Sequence, residues 1–128
     1  MKGCKDLSWK LQEGIAVVVS NSNQYHYWIV HDGAVLRKIT RDTEFAVKFI
    51  EDYKNADISE QDNTIFDYVV KLSKEPWNMV KAVAESLRNA GFSDEGILDI
   101  VQVSGYYAYV NRLIDGLGVE LESNSDEN

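Results

Sequence analysis

Apolar residues recur at helical spacing from Phe45 to the last apolar stretch of the chain, and this periodicity restricts the fold more than any other feature. The first stripe fills positions i, i+3, i+4 and i+7 with Ala46, Phe49, Ile50 and Tyr53. Asp42 stands just ahead of the stripe, where a helix takes its N-cap. The pattern predicts an amphipathic helix, and the same kind of stripe continues beyond it.

Residues that start and stop helices separate the later stripes. Ser59 opens a capping-box-like segment, and Pro76 interrupts the stripe that follows it. A third helix is expected to stop at Gly91, a residue type that favours helix C-termini. Ser93 then opens a longer helix, whose pattern weakens from Gly116. The larger part of the chain is therefore predicted to be helical.

The first third gives a conflicting local signal. Residues 15–19 and 25–30 are rich in β-branched and aromatic side chains, and the polar segment 20–23 separates them. Such a pattern is typical of two strands around a turn. Local propensity alone therefore predicts a hairpin here.

Length and composition indicate a single domain that does not cross a membrane. The chain has 128 residues, 45% of them hydrophobic and 27% charged, which is ordinary for a globular domain. No apolar run approaches the roughly 20 residues that span a bilayer, and polar residues interrupt the first dozen, so no signal peptide is expected. We predict a cytoplasmic helical domain over residues 1–122 and a disordered acidic tail over residues 123–128.

Charge and cysteine content exclude several classes of function. The net charge of −8 disfavours nucleic acid, because binding to its phosphates needs clustered lysine and arginine. Cys4 is the single cysteine. An internal disulfide, a cysteine-rich zinc site and an intramolecular dithiol cycle are therefore excluded.

Two segments resemble one known family. Residues 13–34 are similar to a pattern of a glutamate, an apolar helix, an Asn-Gly-type break, Cys-X-X-Cys-X-X-X-His and Gly-Ala, and residues 91–100 and 109–119 match the C-terminal part of the same proteins. This is the peroxidase-related branch of the alkylhydroperoxidase D-like, or carboxymuconolactone decarboxylase, superfamily. The resemblance covers residues 7–122. It implies an all-α bundle of six helices or fewer, a helix–break–helix in the first third, and a homo-oligomer.

The resemblance assigns the family's active-site positions to residues of this chain. The glutamate position is Glu13, which is retained. The two cysteine positions are Tyr25 and Trp28, and the histidine position is Asp32. His31 lies one residue before that position, where related proteins often carry a second histidine. The chain also looks shorter at its N-terminus than longer members of the family.

These changes remove the chemistry that the family's motif performs. A Cys-X-X-Cys pair works through a thiolate at a helix start and a second thiol that resolves its oxidised form. A phenol with a pKa of about 10 and an indole undergo no such cycle, so Tyr25 and Trp28 are predicted to be former cysteine positions that fill the peroxide cavity. Cys4 could act with an external thiol, although an incidental thiol is the simpler interpretation. No cofactor is expected.

The remaining candidates are Glu13, His31 and Asp32 as former relay residues, with His26 and Tyr27 lining the pocket. They could transfer protons, or Glu13 could form a structural hydrogen bond with a histidine or a tyrosine hydroxyl. A metal bound by His26, His31, Glu13 and Asp32 is disfavoured, because neighbouring positions point in different directions on a helix.

Two functional hypotheses follow. The first is a degenerate family member without thiol peroxidase activity, which acts as a binding or structural homo-oligomer; an aromatic set that includes Trp9, Tyr106 and Tyr109 would supply an interface or line a small-molecule pocket. The second is a residual enzyme. It would be either a Cys4-dependent hydroperoxide reductase or a cysteine-independent acid–base catalyst on a small lactone or carbonyl compound.

Overall fold

Six α-helices build the part of the chain that the structure describes. This computed structural model describes residues 7–23 and 26–117, with the backbone alone for residues 26–30. The helices are α1 (Trp9–Ser22), α2 (His26–Thr40), α3 (Thr43–Glu51), α4 (Glu60–Lys74), α5 (Lys81–Asn89) and α6 (Asp94–Leu117). Short 3₁₀ turns at Tyr53–Asn55 and Pro76–Asn78 join them. No strand occurs within the described ranges, so the predicted all-α fold is confirmed.

The predicted helix starts at Asp42 and Ser59 and the stop at Gly91 are confirmed, whereas Tyr53 lies in the 3₁₀ turn after α3 and not in the helix predicted there. The Asp42 carboxylate accepts a hydrogen bond from the Phe45 backbone N–H at 3.0 Å, which caps α3. The Ser59 hydroxyl caps α4 in the same way through the Asp62 N–H at 3.1 Å. Gly91 follows α5 with a φ of +102°, a backbone conformation that glycine adopts without strain.

The hairpin that local propensity predicts in the first third is wrong, and the helices implied by the resemblance are confirmed. Every residue of α1 from Gly14 to Ser20 is buried. A helix surrounded by protein on all sides is apolar all round, so its sequence carries no amphipathic period. Its run of valines therefore reads locally as a strand, although tertiary packing makes it a helix.

Helix α1 is the centre of the bundle. It packs against α2, α3, α4 and α6. Ile15, Val17 and Val19 are fully buried in the shared core. The rings of Phe49 and Phe66 meet edge to face with centroids 5.0 Å apart, directly against the α1 backbone at Gly14. This central position holds any side chain on α1 in a fixed place relative to α2 and α6.

The described helices contain none that is both long and apolar enough to cross a membrane.

Candidate functional site

Three helices each bring one side chain, two carboxyls and one phenol in all, to a common site that is partly buried. Helix α1 supplies Glu13, α2 supplies Asp32, and α6 supplies Tyr107. The Tyr107 hydroxyl donates a hydrogen bond to the Glu13 carboxylate, and Asp32 lies close enough to Glu13 for their charges to interact. Two of the predicted relay residues are therefore neighbours across the α1–α2 contact. We call Glu13, Asp32 and Tyr107 the carboxyl–phenol cluster.

His31 and Asp32 point in different directions from α2 but remain in contact. The Asp32 side chain is buried, whereas half of the His31 side chain is exposed to solvent. The His31 Nδ1 lies 3.3 Å from Asp32 Oδ1. His31 therefore borders the cluster from the solvent side.

The Glu13 carboxyl is held in an environment that disfavours its ionised form. Burial and the nearby Asp32 raise its pKa from 4.5 to about 7, and His31 and the Tyr107 hydrogen bond oppose that rise. Its Oε2 atom is inaccessible to water and has no hydrogen-bond partner among the described residues. A carboxyl in this state can hold a proton near neutral pH.

Asp32 is perturbed in the same direction for the same main reason. Burial raises its pKa from 3.8 to about 6, while the hydrogen bond and the charge of His31 lower it. Its Oδ2 atom, like Glu13 Oε2, is buried without a partner in the described structure. Two neighbouring carboxyls that both favour protonation are a feature that functional sites often share, although structural networks also produce it.

Tyr107 is the member of the cluster that sequence reasoning did not assign to the site. Burial raises the pKa of its phenol, and the charge of Glu13 raises it further, so the hydroxyl stays protonated and acts as a donor. A tyrosine hydroxyl is one of the partners predicted for Glu13, but nothing in the sequence selects a residue 94 positions away. Asn111 lies one turn further along α6, buried, with its Nδ2 unpartnered in the described part of the chain.

Several predicted site residues cannot be placed around the cluster. Tyr25 lies outside the described residues, as does Cys4. His26, Tyr27 and Trp28 lie in the first turn of α2, but their side chains are outside the description. Their assignments as pocket-lining and former cysteine positions remain predictions. The first turn of α2 is nevertheless where a motif of the Cys-X-X-Cys type would meet a helix N-terminus.

Among the side chains that the structure describes, which lie in residues 7–23 and 31–117, no group of three or more histidine, cysteine or acidic residues is arranged to hold a metal ion. The aromatic set divides into two parts. Tyr107 belongs to the cluster, whereas Trp9, Tyr106 and Tyr109 are each about half exposed or more.

Solved structures similar to this chain belong to peroxidase-related proteins. An uncharacterized peroxidase-related protein from Silicibacter sp. TM1040 superimposes with a TM-score of 0.88 and 28% identity, over 98% of this chain. A second uncharacterized peroxidase-related protein, described as an alkylhydroperoxidase AhpD core, from Ralstonia eutropha JMP134, gives a TM-score of 0.85 and 28% identity over the same share. The chain spans 66% of the length of each.

No protein-family model matches the sequence, and no curated protein matches it either. The comparison therefore rests on structure, supported by an identity of 28% over nearly the whole chain. It confirms the resemblance on which the helical prediction for the first third depended. By fold, and at 28% sequence identity, this chain is similar to peroxidase-related proteins with the alkylhydroperoxidase AhpD core.

Proposed function

We propose that this chain is a degenerate alkylhydroperoxidase D-like protein that lacks thiol peroxidase activity and acts as a binding or structural homo-oligomer. The observation that carries the proposal is the residue type at the two positions that the resemblance assigns to the motif cysteines, which are Tyr25 and Trp28. Reduction of a hydroperoxide by this family's route needs a thiolate and a resolving thiol. Neither position offers sulfur.

The carboxyl–phenol cluster supports the same proposal. In a protein with the complete motif, the glutamate exchanges protons with a cysteine thiol through the histidine. Here the histidine position carries Asp32, and Glu13 is engaged by Tyr107. The retained glutamate thus has a structural partner.

Hydroperoxide consumption by the purified protein with a dithiol reductant tests the proposal. The wild type and a Cys4→Ser variant are run side by side, and no turnover above buffer is expected in either. Turnover that disappears in Cys4→Ser would instead make this a one-cysteine peroxidase. A variant carrying Tyr25→Cys, Trp28→Cys and Asp32→His restores the motif and serves as the positive arm, in which measurable consumption is expected.

The homo-oligomer is supported by one face of α6. Tyr106, Tyr109, Leu113 and Leu117 are each at least 44% exposed, and their spacing of three, four and four residues aligns them along the helix. We call these four residues the α6 apolar face. A contiguous exposed apolar stripe is typical of a protein–protein interface.

A second candidate function is favoured by one observation. Glu13 and Asp32 both have a raised pKa and a buried oxygen without a partner in the described structure, which is the state of a carboxyl poised for acid–base catalysis. Hydrolysis of γ-butyrolactone, followed by proton release, tests this candidate. Hydrolysis that requires both Glu13 and Asp32, lost in Glu13→Gln and in Asp32→Asn, would favour a cysteine-independent enzyme; no hydrolysis would remove the candidate for this substrate.

A further inference from the structure

A cleft separate from the carboxyl–phenol cluster lies between the end of α4, the following 3₁₀ turn and the middle of α6. It encloses about 270 Å³. Its walls are apolar where α4 and α6 face each other, formed by Leu72, Pro76, Val101 and Ala108. Ligand pockets for drug-sized molecules enclose about 300–1,000 Å³. The cleft therefore suits a smaller molecule with an apolar body.

Gly105 leaves part of the α6 wall of this cleft without a side chain. Gly105 lines it, and a Cβ atom built on Gly105 would meet no other atom within 4 Å. Glycine in the middle of a helix costs about 1 kcal/mol relative to alanine. The space beside Gly105 is therefore open, so a larger side chain at this position has room to enter the cleft.

The polar groups at the rim of the cleft are donors. Arg112 lines it from α6, and no carboxylate within the described ranges lies within salt-bridge distance of its guanidinium. Asn23 and Ser73 also line the cleft, and neither side chain has a hydrogen-bond partner among the described residues. The Ser104 hydroxyl, by contrast, already donates to the Ile100 carbonyl at 2.8 Å. Among the described residues, the rim thus presents a guanidinium without a carboxylate partner, together with an amide and a hydroxyl that can donate hydrogen bonds.

We propose that this cleft binds a small aliphatic carboxylate, with the carboxylate on Arg112 and the hydrocarbon chain against Val101, Ala108 and Leu72. A guanidinium binds a carboxylate through two parallel N–H···O bonds, which fixes both position and orientation. The apolar walls accept the chain, and the amide of Asn23 can donate to a carboxylate oxygen as well. The protein as a whole is acidic, so the local cation is what makes an anion acceptable in this cleft.

The proposal deepens the binding role proposed above by naming a ligand class, and it depends on that role alone. Hydroperoxide turnover tests the loss of thiol chemistry, whereas ligand binding tests the cleft. If the protein neither consumes hydroperoxide nor binds hexanoate, the ligand proposal for the cleft is rejected and the proposed loss of peroxidase activity is kept. If the protein binds hexanoate and also consumes hydroperoxide in a Cys4-dependent way, the ligand proposal is kept and the proposed loss of peroxidase activity is rejected.

Titration of the ¹⁵N-labelled full chain with hexanoate, followed by amide chemical shifts, tests the proposal. Saturable shifts are expected at Val101, Gly105 and Ala108. Hexanamide, which keeps the chain but not the charge, is expected to bind at least about tenfold more weakly, as is hexanoate to Arg112→Gln, since loss of a charge-assisted pair corresponds to a factor of about ten or more. Arg37→Gln, at an exposed arginine on α2, is the matched control and should leave the affinity unchanged.

Gly105→Phe provides a second, steric arm, because its ring would occupy the space that the aliphatic chain needs. Binding should be lost, with the helical circular dichroism spectrum retained. The proposal is overturned by an absence of saturable shifts up to about 10 mM hexanoate, where a useful site would be largely filled. Equal affinity for hexanoate and hexanamide, or unaltered binding in Gly105→Phe, would overturn it as well.

Discussion

Folding alters the ionisation of Glu13 and Asp32 in the same direction, because both carboxyls lose water when α1, α2 and α6 assemble. A carboxyl whose pKa is higher in the folded state binds protons more tightly there than in the unfolded chain. Its contribution to stability is therefore fully present below the ordinary pKa and is lost as the pH rises through the folded value. For Glu13 this interval runs from 4.5 to about 7, and for Asp32 from 3.8 to about 6.

The first prediction concerns the pH dependence of stability. Relative to Glu13→Gln, the free energy of unfolding of the wild type should fall by roughly 1–2 kcal/mol between pH 4.5 and about 7.5, a value reduced for the solvent that screens a half-buried carboxyl. Urea denaturation at a series of pH values measures it. Glu51→Gln, which removes an exposed glutamate outside the cluster, is the matched control. A flat difference for Glu13→Gln would contradict the raised pKa.

The second prediction concerns the Tyr107 hydroxyl. This donor favours the ionised form of Glu13, so Tyr107→Phe should raise the pKa of Glu13 above its value of about 7. The expected rise is about half a unit to one unit, since a net hydrogen bond contributes about 1 kcal/mol and one unit corresponds to about 1.4 kcal/mol. Carbon-detected NMR titration of the Glu13 carboxyl measures it. A lowered or unchanged pKa would mean that the phenol does not support the carboxylate.

At the scale of elements, α1 depends on a close approach between its backbone and two aromatic rings. A Cβ atom at Gly14 would lie 3.0 Å from Phe66 Cζ and 3.2 Å from Phe49 Cζ. Both rings are buried and packed on each other, so neither can move far. The glycine is thus required by packing, although it weakens the isolated helix.

The third prediction compares two glycines in helices. Gly14→Ala should lower the free energy of unfolding by about 1–3 kcal/mol, the usual cost of overpacking a core. Gly105→Ala should raise it by up to about 1 kcal/mol, because the new methyl meets open space and alanine favours the helix. Thermal and urea denaturation of both variants measure the difference. Equal changes in the free energy of unfolding of the two variants would show that contact with Phe49 and Phe66 does not determine the effect of a side chain at Gly14.

The elements also divide into those that sequence patterns could predict and those that they could not. Helix ends depend on local interactions, namely hydrogen bonds or a backbone angle within a few residues. The roles of Asp42, Ser59 and Gly91 could therefore be predicted from the sequence. Helix α1 was misread from propensity because burial on all sides removes the period that marks a helix. Only the resemblance to a known family corrected it.

The candidate site was predictable to a similar extent. Glu13 and Asp32 could be paired because the family's motif pairs their positions. Tyr107 could not, since no local pattern connects α6 to α1; only the folded bundle brings the phenol to the carboxylate. The cleft at Arg112 likewise joins residues from four segments, namely the end of α1, α4, the 3₁₀ turn after α4 and α6, and none of these residues stands out in the sequence.

At the scale of the whole molecule, the exposed apolar residues are unevenly distributed. The α6 apolar face gathers four of them on one helix, and Leu98, 54% exposed near the start of α6, extends the same stripe. Association of two copies through this stripe would remove it from water, and apolar burial contributes about 25 cal/mol per Å². The net charge of −8 opposes self-association through the rest of the surface. An interface between copies is therefore expected at α6.

The fourth prediction tests that interface. Leu113→Lys places a charge in the middle of the α6 apolar face, where association would leave it buried and unpaired. Sedimentation velocity should give an oligomer for the wild type and a monomer for this variant. Val80→Lys makes a comparable change at a residue 61% exposed outside α6, and should leave the oligomer intact. A wild-type monomer at all concentrations, or an oligomer that survives Leu113→Lys, would assign the stripe another role. Because Leu113 follows Arg112 directly, hexanoate binding by the monomeric variant would also separate the cleft from the interface.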